Sequence, residues 1–115
     1  MKYGYNKYHA KKVTVDGITF DSKKEYTRWT ELKLMERSGN ITELERQVEY
    51  ELIPTQRIGN RVAERPAKYR ADFRYKLPDG TVVVEDVKGG VRTPEYILKR
   101  KLMLLVYGIR VREVI

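Results

Sequence analysis

The pattern of hydrophobic and polar residues predicts three consecutive strands in the middle of the chain. "RQVEYELI" and "KYRADFRYKL" both alternate, as half-buried strands do. In the second of these, one face is expected to carry Tyr69, Ala71, Phe73 and Tyr75, and the other Arg70, Asp72, Arg74 and Lys76. "TVVVEDVK" is an apolar run, typical of a buried strand, that ends in charged residues. Between the last two strands, "PDG" has the residues of a tight turn.

Two further segments are predicted to be helices. The first has Ser22 as its N-cap and Glu25 three residues later, and the second has Thr93 as its cap and Pro94 at the first helical position. A glycine ends each helix. The second half of the later helix is apolar nearly all round, so we expect it to be well buried.

The order of these elements predicts a mixed α/β fold. "VTVDGITF" indicates a hairpin, and the helix, three strands, second helix and last strand "IRVREVI" follow it. We expect a sheet of about four strands flanked by two helices, with its last two strands parallel because a helix connects them. The chain is interpreted as a single domain over 1–115, with a basic arm at 1–12, the hairpin at 13–20 and a core at 21–115.

Composition and charge limit the classes of partner that this protein is expected to bind. The 115 residues include 24 lysines and arginines against 16 acids, a net charge of +8, which favours a polyanion such as nucleic acid over an ordinary basic globule. Lys7, Lys11 and Lys12 concentrate this charge in the arm, and a basic loop lies between Pro54 and Pro66. The chain has no cysteine and no apolar run of roughly 20 residues, so a cytoplasmic protein without a membrane partner is expected.

The turn after Leu77 determines which acids meet. If Leu77 faces Thr81 across a three-residue turn, Asp72 lies directly opposite Asp86, with Lys88 on the same face. A two-residue turn would instead place Asp86 opposite Phe73. Proline fits the longer turn better, because it would otherwise have to take part in strand pairing.

Two carboxylates side by side need a cation if both are to ionise near pH 7, and hard oxygen ligands select Mg²⁺ or Mn²⁺. The alternative is a surface hairpin in which each acid pairs with an arginine such as Arg70 or Arg74. Glu25 is a third candidate acid because it shares a helix face with Trp29 and Leu32. Its alternative role is to complete a capping box with the residue three positions earlier.

Four segments in this order carry a resemblance to a known group of enzymes. "FDSKKEYTRW", "YRADF", "VEDVKG" and "KRKLMLLVYGI" resemble the PD-(D/E)xK nuclease superfamily, and more narrowly a small phage-encoded family of formerly unknown function that is likened to junction-resolving endonucleases. The resemblance covers nearly the whole chain. An alanine stands before the first acid, where the superfamily usually has proline.

The resemblance implies a role for each residue of the motif. Asp72 and Asp86 would hold the metal, and Lys88 would position or deprotonate the attacking water and steady charge on the phosphate. Glu25 would complete the metal site, and the backbone carbonyl of Val87 would be a further ligand.

Other polar residues have less definite roles. Gln47 either orients the site or is simply exposed, and Glu85, on the face opposite Asp86, is expected to form a salt bridge. The remaining predicted nucleic-acid contacts are Arg57, Arg61, Arg92 and Lys99.

The expected function is therefore Mg²⁺- or Mn²⁺-dependent cleavage of DNA. The resemblance implies branched DNA such as a Holliday junction, in phage recombination or replication within the host cytoplasm, and paired cuts would require a homodimer. Two alternatives remain open: a non-catalytic basic DNA-binding module, and a nuclease that acts on RNA or under the control of a partner.

Overall fold

A computed structural model describes residues 11–115, so Lys7 and most of the basic arm lie outside the described residues. The elements in chain order are β1 (Val13–Val15), β2 (Ile18–Phe20), α1 (Lys23–Arg37), β3 (Thr42–Ile53), β4 (Gln56–Ile58), β5 (Arg61–Glu64), β6 (Ala67–Lys76), β7 (Val82–Val87), α2 (Pro94–Tyr107) and β8 (Arg112–Val114). The predicted succession of hairpin, helix, strands, helix and strand is confirmed.

The central sheet has four strands in the order β3-β6-β7-β8. β6 pairs antiparallel with β3 and β7, while β7 and β8 run parallel, as the helical connection through α2 predicts. The mixed α+β fold class is therefore confirmed. The segment between Pro54 and Pro66 is not a simple loop, because β4 and β5 pair as a separate antiparallel hairpin that turns at Gly59, with φ +61°.

Both helices begin where the caps predict. The Ser22 hydroxyl accepts a hydrogen bond from the Glu25 N–H at 3.1 Å, and the Thr93 hydroxyl accepts one from the Tyr96 N–H at 3.1 Å. The prediction that the second half of α2 is well buried is wrong: Leu105 is 79% exposed, and only Tyr96 and Met103 of this helix are fully buried. The helix lies against β3 and β6 on one side only, so its other apolar side chains face outward.

The core consists of two clusters that divide the buried side chains of β6. Phe73 and Tyr75 pack with Leu32 of α1, whereas Tyr69 and Ala71 pack with residues of α2. The pattern predicts that these four residues share one buried face; all four are buried at alternate positions, but they divide between two clusters, one against each helix, on either side of Asp72.

The strand opposite Asp72 has an unusual backbone at the same level. The pairs Arg46↔Phe73 and Val48↔Ala71 put Gln47 across from Asp72, and Gln47 has φ +53°. A positive φ is uncommon for a residue other than glycine and costs on the order of 1 kcal/mol. The sheet therefore carries a local distortion at the position of its first candidate acid.

Candidate metal centre

The pairing of β6 with β7 brings the two predicted acids together. Tyr75 lies opposite Val83 and Phe73 opposite Glu85, so the next position in the same register places Asp72 opposite Asp86. The three-residue turn is confirmed, and the alternative register, which would put Asp86 opposite Phe73, is excluded.

Each carboxyl of the pair has few partners apart from the other. Asp72 Oδ2 accepts a hydrogen bond from the Val87 N–H at 2.8 Å. Burial raises the pKa of Asp72, and a hydrogen bond shared with Asp86 together with the charge of Asp86 raises it further. The arginine alternative is not realised for Arg74, which binds Glu45 at 2.6 Å instead. The two acids thus form a close, poorly compensated pair.

Lys88 supplies the one cationic side chain that contacts this pair among residues 11–115. Its Nζ lies 3.1 Å from Asp86 Oδ2 and 3.6 Å from the centroid of the Tyr96 ring. Its backbone N–H donates to the Val114 carbonyl at 2.8 Å. The lysine is therefore fixed by β8 through its backbone and by α2 through a cation–π contact.

Tyr96 is itself held in place by a carboxylate on β8. Its hydroxyl donates to Glu113 Oε2 at 2.7 Å, and Arg92 and Arg100 bind the same carboxylate at 2.7 and 2.8 Å. Although burial alone would raise it, the hydrogen bonds from Tyr96, Arg100 and Arg92 hold the pKa of Glu113 at about 2. Sequence reasoning missed Tyr96 and Glu113. Their signal was only an aromatic residue in the first turn of a helix and an acid in the neighbouring strand.

Glu25 approaches the same region from the first turn of α1. Glu25 is 3% exposed. Its Oε1 lies 3.5 Å from Gln47 Nε2 and 3.7 Å from Arg46 Nη2. Burial, and then the charges of Asp21 and Asp86, raise its pKa against the lowering effect of Arg46. Within residues 11–115 its carboxylate forms no hydrogen bond with Ser22, so the capping box is only half made. Gln47 is half-buried and faces Glu25, which fits the orienting role considered for it.

A buried tyrosine hydroxyl adds a further oxygen at the site. Tyr69 Oη has no hydrogen-bond partner of ordinary geometry within residues 11–115. Burial, and then the nearby charge of Asp86, raise the pKa of Tyr69. An unpaired buried hydroxyl costs on the order of 1–3 kcal/mol. The sequence did not indicate a site role for this hydroxyl, because Tyr69 belongs to an alternating series of mostly aromatic residues that predicts a core position.

The donor chemistry of the site fits a hard divalent cation. Asp72 and Asp86 offer adjacent carboxylate oxygens whose joint ionisation a cation would favour, and oxygen-only ligands suit Mg²⁺ or Mn²⁺. Within residues 11–115, no three histidine, aspartate or glutamate side chains are gathered as a ready-made metal cluster. Glu25 as third ligand and the Val87 carbonyl as a further one therefore stay predictions.

Glu85, next to Asp86, is buried on the other face of β7. Arg28 donates to both of its carboxylate oxygens, from Nε at 2.8 Å and from Nη2 at 2.7 Å, and the Tyr75 hydroxyl donates to Oε2. Its position beside Phe73 and its expected salt bridge are both confirmed.

The predicted nucleic-acid contacts fall into two groups. Arg92 and Lys99 are ion-paired, to Glu113 and to Glu95 respectively. The others are exposed and have no acidic partner within 4 Å among residues 11–115: Lys11, Lys12, Arg57 and Arg61. Lys7 lies outside the described residues.

Comparison with known proteins identifies a family but no activity. Residues 5–114 match the family described as "Protein of unknown function (DUF1064)", and the chain belongs to that family. No curated protein and no solved structure matches the chain. Within residues 11–115, neither helix has both the length and the apolar character needed to cross a membrane.

Proposed function

We propose that this protein is a metal-dependent endodeoxyribonuclease of the PD-(D/E)xK type. The observation that carries the proposal is the pairing of half-buried Asp72 with buried Asp86 on adjacent strands, with Lys88 Nζ 3.1 Å from Asp86. A stable sheet has no need for two directly opposed acids, because like charges there are destabilising. Their presence in a half-buried position is accounted for by a cation that both bind.

The residues of the chain divide the work of phosphodiester hydrolysis. Asp72 and Asp86 would hold Mg²⁺ or Mn²⁺, with Glu25 and the Val87 carbonyl as further candidate ligands. When bound, the metal supplies Lewis-acid polarisation of the phosphate and lowers the pKa of a bound water. Lys88 places a positive charge where negative charge develops on the phosphate, and its contact with the Tyr96 ring fixes that charge in advance.

The distortion at Gln47 fits the same proposal. A residue held at φ +53° opposite Asp72 turns its amide toward Glu25, 3.5 Å away. Backbone strain of this kind persists where the surrounding structure imposes it and is concentrated at functional sites. We assign Gln47 the role of orienting Glu25.

The substrate is proposed to be DNA, and branched DNA in particular. The net charge of +8 supports a polyanionic substrate. The preference for a four-way junction, the place in phage recombination and the homodimer that would make paired cuts rest on the family resemblance alone.

The test is cleavage by purified protein of supercoiled plasmid and of a synthetic four-way junction in Mg²⁺, Mn²⁺ or EDTA. Asp86→Asn is compared with a matched control, Asp79→Asn, at an exposed turn position where asparagine can keep the hydrogen bond to the Thr81 N–H. We expect metal-dependent cutting by the wild type and the control, and none by Asp86→Asn. Symmetric cuts in the junction would add resolvase activity.

The alternatives give different results in the same experiment. Tight DNA binding without cutting, unaffected by EDTA or by Asp86→Asn, would replace the nuclease with a non-catalytic DNA-binding module. Preferential cleavage of an RNA competitor would change the substrate class and leave the metal centre in place.

A further inference from the structure

The hairpin formed by β4 and β5 extends away from the rest of the protein. Its two strands pack on each other and make at most marginal contact with any other element of the described chain. Every residue of both strands is exposed, including Ile58 at 77% and Val62 at 50%. Because both strands are exposed, the surface of the hairpin is available to a partner. A partner would also stabilise it, since an isolated two-stranded hairpin is only marginally stable in water.

Both faces of the hairpin carry the same mixture of side chains. Arg57 pairs with Val62 and Ile58 pairs with Arg61, and residues directly opposite one another share a face. Each face therefore presents one guanidinium beside one aliphatic side chain. A ribbon that packed flat on a protein would have one apolar and one polar face. A ribbon inserted between two similar surfaces would contact one surface with each face, and its two faces would then be equivalent.

The arginines of the hairpin are available for a ligand. Arg57, Arg61 and the adjacent Arg65 have no acidic partner within 4 Å among residues 11–115, in contrast to arginines of the body such as Arg28 and Arg74. An unpaired guanidinium is well suited to phosphate and to the acceptor edge of guanine.

We propose that the β4–β5 hairpin enters the major groove of duplex DNA next to the metal centre. This inference rests on the proposed function, because it assigns the hairpin to the same DNA substrate. The major groove of B-DNA is about 12 Å wide and admits a two-stranded ribbon, and its walls are lined by phosphates on both sides. The arginine on each face meets the phosphates of the wall that this face approaches, or extends past them to a guanine edge.

Charge argues against a second copy of the chain as the partner of the hairpin. Each chain carries +8, so two basic hairpins would repel each other unless acids neutralised them. Within the hairpin strands themselves the acid is Glu64 alone.

The first measurement is the affinity for a 20-base-pair duplex as a function of salt, in EDTA so that nothing is cut. The double variant Arg57→Gln/Arg61→Gln is compared with Lys101→Gln/Arg110→Gln, which removes the same charge from exposed positions on and after α2. We expect the hairpin variant to lose about tenfold or more in affinity and to reduce the salt slope by about 1.8, twice the value of about 0.9 for one phosphate contact. Equal losses in the two variants would overturn the proposal.

The second measurement locates the hairpin on the DNA. Because the chain has no cysteine, Asn60→Cys at the turn takes a single fluorescent label. We expect duplex DNA to change the emission of this label, and methylation of guanine N7, which projects into the major groove, to interfere with binding by the wild type. Label emission that does not change when DNA binds would contradict the proposal. Interference only from methyl groups that project into the minor groove would contradict it as well.

Two controls separate this inference from the proposed function. Metal-dependent hydrolysis of the small ester bis(p-nitrophenyl) phosphate should be equal in the wild type and in Arg57→Gln/Arg61→Gln, since that substrate has no groove. If the wild type hydrolyses no phosphodiester, the nuclease proposal fails, while the binding measurements still decide the role of the hairpin. If sedimentation shows that the hairpin substitutions convert a wild-type dimer to a monomer, the hairpin is a dimer contact and the groove proposal is overturned.

Discussion

Glu85 and Asp86 are consecutive residues of β7 with opposite surroundings. Both are buried, with Glu85 fully inaccessible and Asp86 6% exposed. Glu85 is bound by both arms of the Arg28 guanidinium and by Tyr75, which satisfies its charge and its hydrogen bonds. Asp86 faces another carboxyl, Asp72, and has one lysine beside it.

Under the proposed function, the difference lets one strand contribute to stability and to chemistry at adjacent positions. Successive side chains of a strand point to opposite faces, so two neighbouring acids need share no partners. A buried ion pair with complete hydrogen bonding is a structural unit that tolerates no missing member. A carboxyl pair with too little positive charge would instead, under the proposed function, be completed by a cation.

The largest expected effect separates the two acids by activity. We expect Asp86→Asn to reduce the rate of DNA cleavage by roughly 10³-fold or more, because several kcal/mol of metal-dependent stabilisation of the transition state would be lost. Glu85→Gln should remain within about tenfold of the wild type at a temperature where it is folded. Single-turnover cleavage of plasmid DNA measures both rates, and near-equal losses in the two variants would contradict the division of roles.

The next effect separates the two acids by stability. Glu85→Gln leaves the half-buried Arg28 with only the exposed Glu31 as its counter-charge, so we expect the free energy of unfolding to fall by about 3 kcal/mol. The triple variant Arg28→Met/Tyr75→Phe/Glu85→Leu should recover much of this loss, since it removes both buried charges and the hydroxyl that donates to Glu85. Urea unfolding followed by circular dichroism measures these values. A triple variant no more stable than Glu85→Gln would show that the ion pair is not the cause.

Much of the candidate site was accessible to sequence reasoning because it depends on local rules. The proline-containing turn fixed the register that places Asp72 opposite Asp86, and N-cap chemistry placed Glu25 in the first turn of α1. The parallel pairing of the last two strands followed from the helix that connects them.

The errors arose where tertiary packing overrides a periodic pattern. The apolar second half of α2 was expected to be buried, but Leu105 is exposed because the helix meets the sheet on one side only. The four alternating core residues of β6 are buried as expected, but they divide between two clusters beside the distorted Gln47. A positive φ at a glutamine has no signature in the sequence, so the distortion was invisible.

A smaller effect is expected in how the free energy of unfolding depends on pH, because the Asp72–Asp86 pair lacks sufficient positive charge. The pKa of Asp72 is raised above its ordinary value of 3.8, so the stability it contributes is complete below about pH 4 and is lost as the pH rises through its folded pKa. We therefore expect Asp72→Asn to match the wild type near pH 4 and to exceed its free energy of unfolding by about 1–2 kcal/mol at pH 8. Urea titrations across this range measure the difference.

Magnesium provides the control for that prediction. A cation that binds only the folded state stabilises it by mass action, so Mg²⁺ should raise the stability of the wild type and leave Asp72→Asn unchanged. An Asp72→Asn variant that is less stable than the wild type at pH 8 without metal would show that the carboxyl pair is not a destabilising feature.

The smallest effect concerns Glu113, an acid satisfied like Glu85 but closer to solvent. Its pKa of about 2 lies below the ordinary value of 4.5, so its contribution to stability is present above about pH 4.5 and is lost as the pH falls through about 2. We expect Glu113→Gln to lower the free energy of unfolding by about 1 kcal/mol at pH 7, since partial exposure screens the ion pairs, and by almost nothing near pH 2.

The matched control for Glu113 is Glu95→Gln, which breaks an exposed pair with Lys99 on α2 and should cost about 0.3–0.5 kcal/mol at pH 7. Because Glu113 also holds the Tyr96 hydroxyl, its loss should loosen the ring against which Lys88 rests. DNA cleavage by Glu113→Gln should therefore fall more than cleavage by Glu95→Gln. A penalty for Glu113→Gln that persists unchanged at pH 2 would mean that shape, and not charge, holds this end of the site together.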